Sequence, residues 1–109
     1  MAHVERIMYV ELKSDQGDRG PAWIGRVRTS KTGRTIYYRG LTLKRHQGVS
    51  GNHVDVATGD EYWVSGVKKD GSDRHWAGGG PVEVDWDVLE EYLAYLEPGA
   101  RARLSAALR

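Results

Sequence analysis

The feature that most constrains the fold is a pair of hairpin patterns inside the stretch Ala22–Gly66. In the first pattern, Trp23–Thr29 alternate between two faces, and Arg34–Arg39 are rich in the β-branched and aromatic residues that suit a pleated surface. Ser30–Gly33 separate these two runs, and Gly33 can take the positive φ of a type I turn followed by a bulge. This segment is therefore predicted to be a β-hairpin.

The second pattern repeats the design further along the chain. His53–Val56 and Glu61–Ser65 flank a turn that again contains Thr-Gly, and a short strand is predicted at Leu41–Lys44. A first strand is predicted at Val4–Lys13. Apolar residues lie on both of its faces, so we expect it to be covered on both sides. Because consecutive strands usually pair, we expect a mostly β or α+β fold. Its five or six antiparallel strands would form a strongly bent sheet or a small SH3-like barrel, followed by one or two C-terminal helices.

The chain length favours a single domain spanning residues 1–109. Within it we expect a β meander or barrel over residues 4–66, a long loop over 66–81 and a helical segment over 82–109. The first helix is predicted from apolar residues at helical spacing that should flank or plug the sheet. Pro98 and Gly99 are predicted to end it, and residues 100–109 to form a second helix. The apolar stripe comprises Trp86, Leu89, Tyr92, Leu93 and Leu96.

Composition excludes several classes of protein. The chain has no cysteine, which excludes a disulfide framework, a catalytic thiol and cysteine-ligated zinc. Its first residues hold no apolar stretch long enough for a signal peptide, and no run approaches the ~20 apolar residues of a membrane span. We therefore expect a cytoplasmic protein with no membrane partner and no cofactor.

Charge is segregated along the chain although the net charge is only +1. Residues 19–76 carry eleven cations against five carboxylates, whereas residues 77–97 carry six carboxylates and no cation. One interpretation is that the acidic segment folds against the basic one. The other is a basic face that is offered to an anionic partner, with the acids held elsewhere. The sequence leaves both interpretations open.

The leading functional hypothesis is a basic, aromatic β face that binds RNA or DNA without catalysis. Residues two apart in a strand share a face, so Arg26 with Arg28 and Tyr37 with Arg39 are predicted to form rows on neighbouring strands. Cations meet phosphates through charge-assisted hydrogen bonds, and aromatic rings stack on bases. The predicted binding residues are Arg26, Arg28, Lys31, Arg34, Tyr37, Arg39, Lys44, Trp63, Lys68 and Lys69.

Two further hypotheses compete with nucleic-acid binding. Exposed aromatics or the apolar stripe of the C-terminal helix would let the chain act as a protein–protein adaptor or as a homodimer. A small hydrolase or metal enzyme would instead use pairs of histidine and aspartate, namely His53, Asp55, Asp73 and His75. No recognised metal spacing or nucleophile accompanies these pairs, so we expect no catalytic residue and no metal ligand. The run Gly78–Gly80 lacks the residues of a phosphate-binding loop.

Four stretches together resemble a family of small bacterial proteins of about this length whose function is not characterised. They are ERIMYVELKS at 5–14, GPAWIGRV at 20–27, SKTGRTIYYRG at 30–40 and TGDEYWVSGVKKDGSDR at 58–74. Some members of the family carry the label deoxyxylulose-phosphate synthase. That reaction needs a thiamine diphosphate site in a large multidomain enzyme, and no part of this chain matches one, so we expect the activity to be absent here.

Overall fold

The computed structural model describes residues 4–16, 19–48, 51–73 and 82–107, which form seven strands followed by helices. The strands are β1 (Val4–Leu12), β2 (Ala22–Thr29), β3 (Thr35–Tyr38), β4 (Leu41–Arg45), β5 (His53–Asp55), β6 (Glu61–Gly66) and β7 (Val82–Val84). A short 3-10 helix, Trp86–Val88, leads into α1 (Leu89–Tyr95) and α2 (Pro98–Ala107). In these described ranges, no helix is long and apolar enough to cross a membrane.

Six antiparallel strands close into a barrel. The strand order is β1-β6-β5-β4-β3-β2, and β1 pairs back onto β2 from Val4 opposite Thr29 to Glu11 opposite Ala22. The partner of β2 changes along its length. β3 pairs with its end, at Arg28 and Thr29, and the seventh strand, β7, pairs in parallel with its beginning, with Val82 opposite Ala22. The predicted fold class, a small mostly β structure followed by C-terminal helices, is confirmed.

The barrel interior is filled by side chains from one face of each strand. On β1 the alternation predicted from the sequence holds, because Met8 and Val10 point inward while Tyr9 points outward. Each large apolar side chain that is fully buried contributes roughly 1.5–3 kcal/mol to folding. The interior cluster consists of Met8, Val10, Val27, Ile36, Tyr38, Leu43, Tyr62 and Val64.

A second core lies outside the barrel, between β1, β2 and the C-terminal helices. Tyr9 and Ile24 on the outer face of the barrel pack with Tyr92, Leu96 and Ala100. The expectation that β1 is covered on both sides therefore holds. The helices flank the sheet and do not plug the barrel.

The C-terminal segment departs from the prediction in three ways. Trp86, expected in the apolar stripe, is 85% exposed, because it lies in the 3-10 helix and not on the buried side of α1. Pro98 begins α2 instead of ending a helix, a position where its fixed φ and missing N–H cost nothing. Residues Val82–Val84 form a strand within the segment predicted as helical.

The predicted long loop is only partly described. Gly66 ends β6, and residues 67–73 form a turn that Asp73 anchors by accepting a hydrogen bond from the backbone N–H of Lys68 at 2.7 Å. Residues 74–81, which include His75 and the three glycines, lie outside the described residues.

Candidate nucleic-acid interface

A row of polar side chains crosses the outer face of β2, β3 and β4. The strand register sets Arg28 opposite Tyr37, and Tyr37 opposite Thr42. The Arg28 guanidinium carbon lies 5.8 Å from the centroid of the Tyr37 ring, within the range of a cation–π contact. Their strand neighbours Val27 and Ile36 point into the barrel, so the row faces away from the core. The sequence-predicted pairing of these two strand faces is therefore present.

A basic groove continues this row toward the β2–β3 turn. The groove has a volume of about 600 Å³, and none of the described residues that line it carries a carboxylate. Register brings Lys44 opposite Thr35, while the backbone N–H of Arg45 donates to the carbonyl of Arg34 at 2.8 Å. Arg34, Lys44 and Arg45 are all exposed. The lining residues are Thr32, Gly33, Arg34, Thr35, Lys44 and Arg45.

The turn that carries this groove forms for the reason predicted. Gly33 has a φ of 77°, which an L side chain rarely adopts, and its N–H donates to the carbonyl of Ser30 at 2.9 Å. Lys31 is exposed at the tip of the turn. We call the basic face the outer-face residues Arg28, Tyr37, Thr42 and Lys44 together with Lys31, Arg34 and Arg45 at the turn end of the barrel.

Arg26 and Arg39 flank the basic face but are engaged by the acidic segment. Arg26 Nη2 lies 2.7 Å from Glu91 Oε1, and this hydrogen bond raises the pKa of Arg26. Arg39, at a φ of 48° in the β3–β4 turn, places its Nη2 3.6 Å from Asp85 Oδ1. At these two points the acidic segment folds against the basic one, whereas the basic groove keeps its charge exposed. The first interpretation of the charge segregation is therefore confirmed at these two points, while the offer of a basic face to an anionic partner stays a prediction.

A second, smaller groove joins these two arginines to the basic face. It has a volume of about 400 Å³ and runs from Arg26 past Arg28 and Tyr37 to the β3–β4 turn. The described part of its lining also contains no carboxylate. An anionic chain lying along the basic groove would therefore meet further cations where it passes Arg28.

The remaining three predicted residues lie elsewhere. Trp63 is on β6, which β5 separates from β4. Lys69 holds its Nζ 5.9 Å from the centroid of the Tyr95 ring on α1, and Lys68 Nζ donates to the carbonyl of Ser72 at 3.4 Å. The structure therefore does not bring Trp63, Lys68 or Lys69 to the basic face. The expectation failed because spacing along the chain does not reveal which strands are neighbours in a closed barrel.

A buried contact that the sequence did not reveal fixes the edge of the site. The Tyr38 hydroxyl donates to Asp85 Oδ2 at 2.7 Å, and burial together with this carboxylate raises the pKa of Tyr38. Gly25 makes room for both groups, since a Cβ there would lie against Asp85 Oδ2 and 2.6 Å from Tyr38 Cε1. A glycine inside a strand pattern is the signal for such a close approach.

The residues of the catalytic hypothesis have separate structural roles. The carboxylate of Asp55 accepts hydrogen bonds from the N–H of Ala57 at 2.9 Å and the hydroxyl of Thr58 at 3.1 Å, which holds the β5–β6 turn. Asp73 accepts from the Tyr92 hydroxyl at 3.3 Å, and burial raises the pKa of Asp73. His75, its predicted companion, lies outside the described residues.

His53, the third described member, is buried and held by its neighbour in sequence. Its Nδ1 lies 2.9 Å from Asn52 Oδ1, and its buried Nε2 has no hydrogen-bond partner among the described residues. Burial, and then the charge of Arg45, lower the pKa of His53. Across the described ranges, no group of three or more histidine and carboxylate side chains is arranged to hold a metal ion.

Comparisons of the chain with protein-family models, with curated proteins and with solved structures found no match. The resemblance to a family of small bacterial proteins therefore stays a prediction. The functional argument rests on the geometry of the basic face.

Proposed function

We propose that the chain is a non-enzymatic binding module whose basic face binds single-stranded RNA or DNA. The observation that supports this function is the basic groove. It holds Arg34, Lys44 and Arg45 without a carboxylate among its described lining residues, and it adjoins the stacked pair Arg28 and Tyr37. Guanidinium and ammonium groups would contact phosphates, and the Tyr37 ring would stack on a base.

A single strand fits this surface better than a duplex does. Stacking on an aromatic side chain requires an unpaired base, and each such contact is worth about 1–3 kcal/mol. The face is built on strands and on the five-residue turn between β2 and β3, so it offers no helix for insertion into a major groove. We therefore expect preference for single strands and little dependence on base sequence.

The salt dependence of binding follows from the number of exposed cations. Five contribute to the basic face: Arg28, Lys31, Arg34, Lys44 and Arg45. If each neutralises one phosphate of a single strand, the logarithm of the binding constant falls with the logarithm of salt concentration with a slope of up to about 3.5. Arg26 and Arg39 add less, because Glu91 and Asp85 already neutralise them.

The test is the affinity for fluorescent single- and double-stranded oligonucleotides at two salt concentrations. The variant Arg34→Ala/Lys44→Ala/Arg45→Ala should bind at least about 30-fold more weakly and with a shallower salt slope. The control Arg6→Ala/Lys68→Ala/Lys69→Ala removes the same charge from exposed positions outside the basic face and should bind nearly as the parent does. Equal losses in both variants, or no binding by the parent at low salt, would refute the proposal.

Other expectations remain part of the proposal. An SH3-like barrel is supported by six antiparallel strands that follow one another as a meander before β6 closes onto β1. Absence of catalysis is supported by the structural roles of Asp55 and Asp73. Turnover of any substrate by the purified chain would overturn that part. A cytoplasmic location stays a prediction from the sequence.

A further inference from the structure

The most exposed large apolar side chain among the described residues belongs to Trp86. It is 85% exposed and follows β7 directly, with Asp85 and Asp87 on either side of it in sequence. Tryptophan is enriched at the centres of protein interfaces and depleted from ordinary surface, because its large ring gains much from leaving water. Trp86 is not part of the basic face, so nucleic-acid binding there does not explain its exposure.

The strand before Trp86 presents an open edge beside it. The backbone N–H of Asp85 donates to the carbonyl of Ile24 at 2.9 Å, which fixes the side of β7 that faces β2. Since strand groups alternate with a period of two, the N–H and C=O groups of Val82 and Val84 point away from β2. Within the described ranges, β2 is the one strand that pairs with β7. Such an edge can accept an added extended chain.

The surface beside this edge forms a groove of about 850 Å³, which we call the β7 groove. It combines apolar side chains with carboxylates, and the side chains used in this argument are Val82, Glu83, Val84, Trp86, Asp87 and Leu104. Arg26 and Arg39 also reach the groove, but they are paired with Glu91 and Asp85. Glu83 and Asp87 are exposed and make no ion pair with another described residue.

The exposed carboxylates Glu83 and Asp87 determine which kind of partner this groove can bind. Two exposed carboxylates that make no ion pair within the described ranges lie beside an exposed indole. They favour a cation placed over the ring, since the ring face and the carboxylates attract it together. A nucleic acid is disfavoured here because its phosphates would meet the same carboxylates. A second copy paired through β7 about Glu83 is disfavoured because it would set Glu83 opposite its own image.

We propose that the β7 groove binds an extended, cationic segment of another protein. The segment adds to the open edge of β7 through backbone hydrogen bonds. It places an arginine or lysine side chain over Trp86, between Glu83 and Asp87, and lays its apolar residues toward Val84 and Leu104. None of the side chains used in this argument belongs to the basic face, although Arg26 and Arg39 line both the β7 groove and the smaller groove beside that face. The proposal does not depend on nucleic-acid binding.

The experiment uses a fluorescein-labelled peptide of alternating valine and arginine as the probe, with the full chain as the binder. Trp86→Ala should weaken binding at least about 10-fold, as expected for a central tryptophan anchor. Trp63→Ala is the matched control, since it removes an exposed tryptophan from β6, and it should leave the affinity within about 2-fold of the parent. Glu83→Gln/Asp87→Asn should weaken binding and flatten its salt dependence.

Four results would overturn the proposal. The first is unchanged binding by the Trp86→Ala variant, and the second is equal binding of a peptide with glutamate in place of arginine. The third is a dimer of the parent in sedimentation that Trp86→Ala dissolves, which would assign the groove to a second copy. The fourth is loss of peptide binding in the Arg34→Ala/Lys44→Ala/Arg45→Ala variant, which would assign the peptide to the basic face. Because Trp86 lies outside the basic face, oligonucleotide affinity of the same variant separates failure of this proposal from failure of the nucleic-acid proposal.

Discussion

The basic face and the β7 groove differ in how far apart in sequence their residues lie. Every residue of the basic face falls within 28–45, on two consecutive hairpins whose turns carry Gly33 and Gly40 at positive φ. The β7 groove instead gathers residues from β2, the β3–β4 turn, β7, the 3-10 helix and α2. A surface built from neighbouring hairpins can be derived from alternation in the sequence. One built by docking of the C-terminal segment becomes visible only when the barrel is closed.

The two regions also differ in how their charges are used. The cations of the basic groove remain exposed. In the β7 groove, Asp85 accepts a hydrogen bond from Tyr38 and pairs with Arg39, whereas Glu83 and Asp87 stay exposed. Asp85 is therefore the point at which the two regions meet. A substitution that disturbs Asp85 should change the β7 groove more than the basic groove, because Asp85 lines the β7 groove while the basic groove lies at the β2–β3 turn.

The largest expected effect is a loss of stability when a side chain is added next to Asp85. In Gly25→Ala, the new methyl group would press on Asp85 and on the Tyr38 ring, so we expect a loss of about 2–3 kcal/mol in the free energy of unfolding. Chemical denaturation measures it. Gly66→Ala is the matched control, because a Cβ there meets only the end of the Arg6 side chain at 3.7 Å. A stability loss in the control as large as in Gly25→Ala would show that the strand glycines act in another way.

A smaller loss of stability is expected at acidic pH, from His53 beside the basic groove. His53 is the cross-strand partner of Arg45, and its pKa in the folded state lies below its ordinary value of about 6.5. The unfolded chain therefore binds the proton more readily, so this contribution to stability is complete above pH 6.5 and is lost as the pH falls below it. The loss is at most about 1.4 kcal/mol per pH unit.

Urea unfolding at pH 7 and pH 5 measures this dependence, with His53→Gln as the comparison. Burial raises the pKa of Asp73, so this carboxyl works in the opposite sense, favouring the folded state as the pH falls through its folded pKa toward its lower unfolded pKa. The difference between the parent and His53→Gln isolates the histidine. An identical pH dependence in both proteins would contradict the assignment.

The smallest effect is expected from releasing Arg26. Glu91→Gln removes the charge that holds Arg26, so one more cation becomes available beside Arg28. We expect oligonucleotide affinity to rise by about 2- to 3-fold and the salt slope to steepen by about 0.7. Glu90→Gln removes the same charge from an exposed neighbour with no such contact among the described residues, and should change the affinity less. An equal gain in both variants would mean that overall charge, not Arg26, sets the affinity.

Particular residues show how much of the structure the sequence predicts. Alternation of Met8 and Val10 against Tyr9 correctly predicted a strand covered on both faces, and Thr-Gly correctly marked two turns. Strand alternation and turn residues depend only on neighbours in the sequence, so they can be identified without knowledge of the whole fold. The stripe that included Trp86 failed because helical spacing assumes one regular helix, whereas the chain enters α1 through a 3-10 turn.

Long-range contacts account for what the sequence did not predict in the candidate site. Periodicity assigned Arg26 and Arg39 to the binding surface, but they flank the basic face and pair with Glu91 and Asp85, which lie more than forty residues away in the sequence. Strand β7 is three residues long and pairs in parallel, so its Val-Glu-Val pattern is too short to be told from the start of a helix.

One measurement compares the two regions within a single sample. It is the titration of isotope-labelled protein with a short single-stranded oligonucleotide, followed by backbone amide chemical shifts. We predict shifts confined to residues 28–37 and 42–45, with the amides of 82–87 and Leu104 unchanged. Shifts that cluster at Trp86 and β7, or an absence of shifts at low salt, would contradict the assignment of nucleic-acid binding to the basic face.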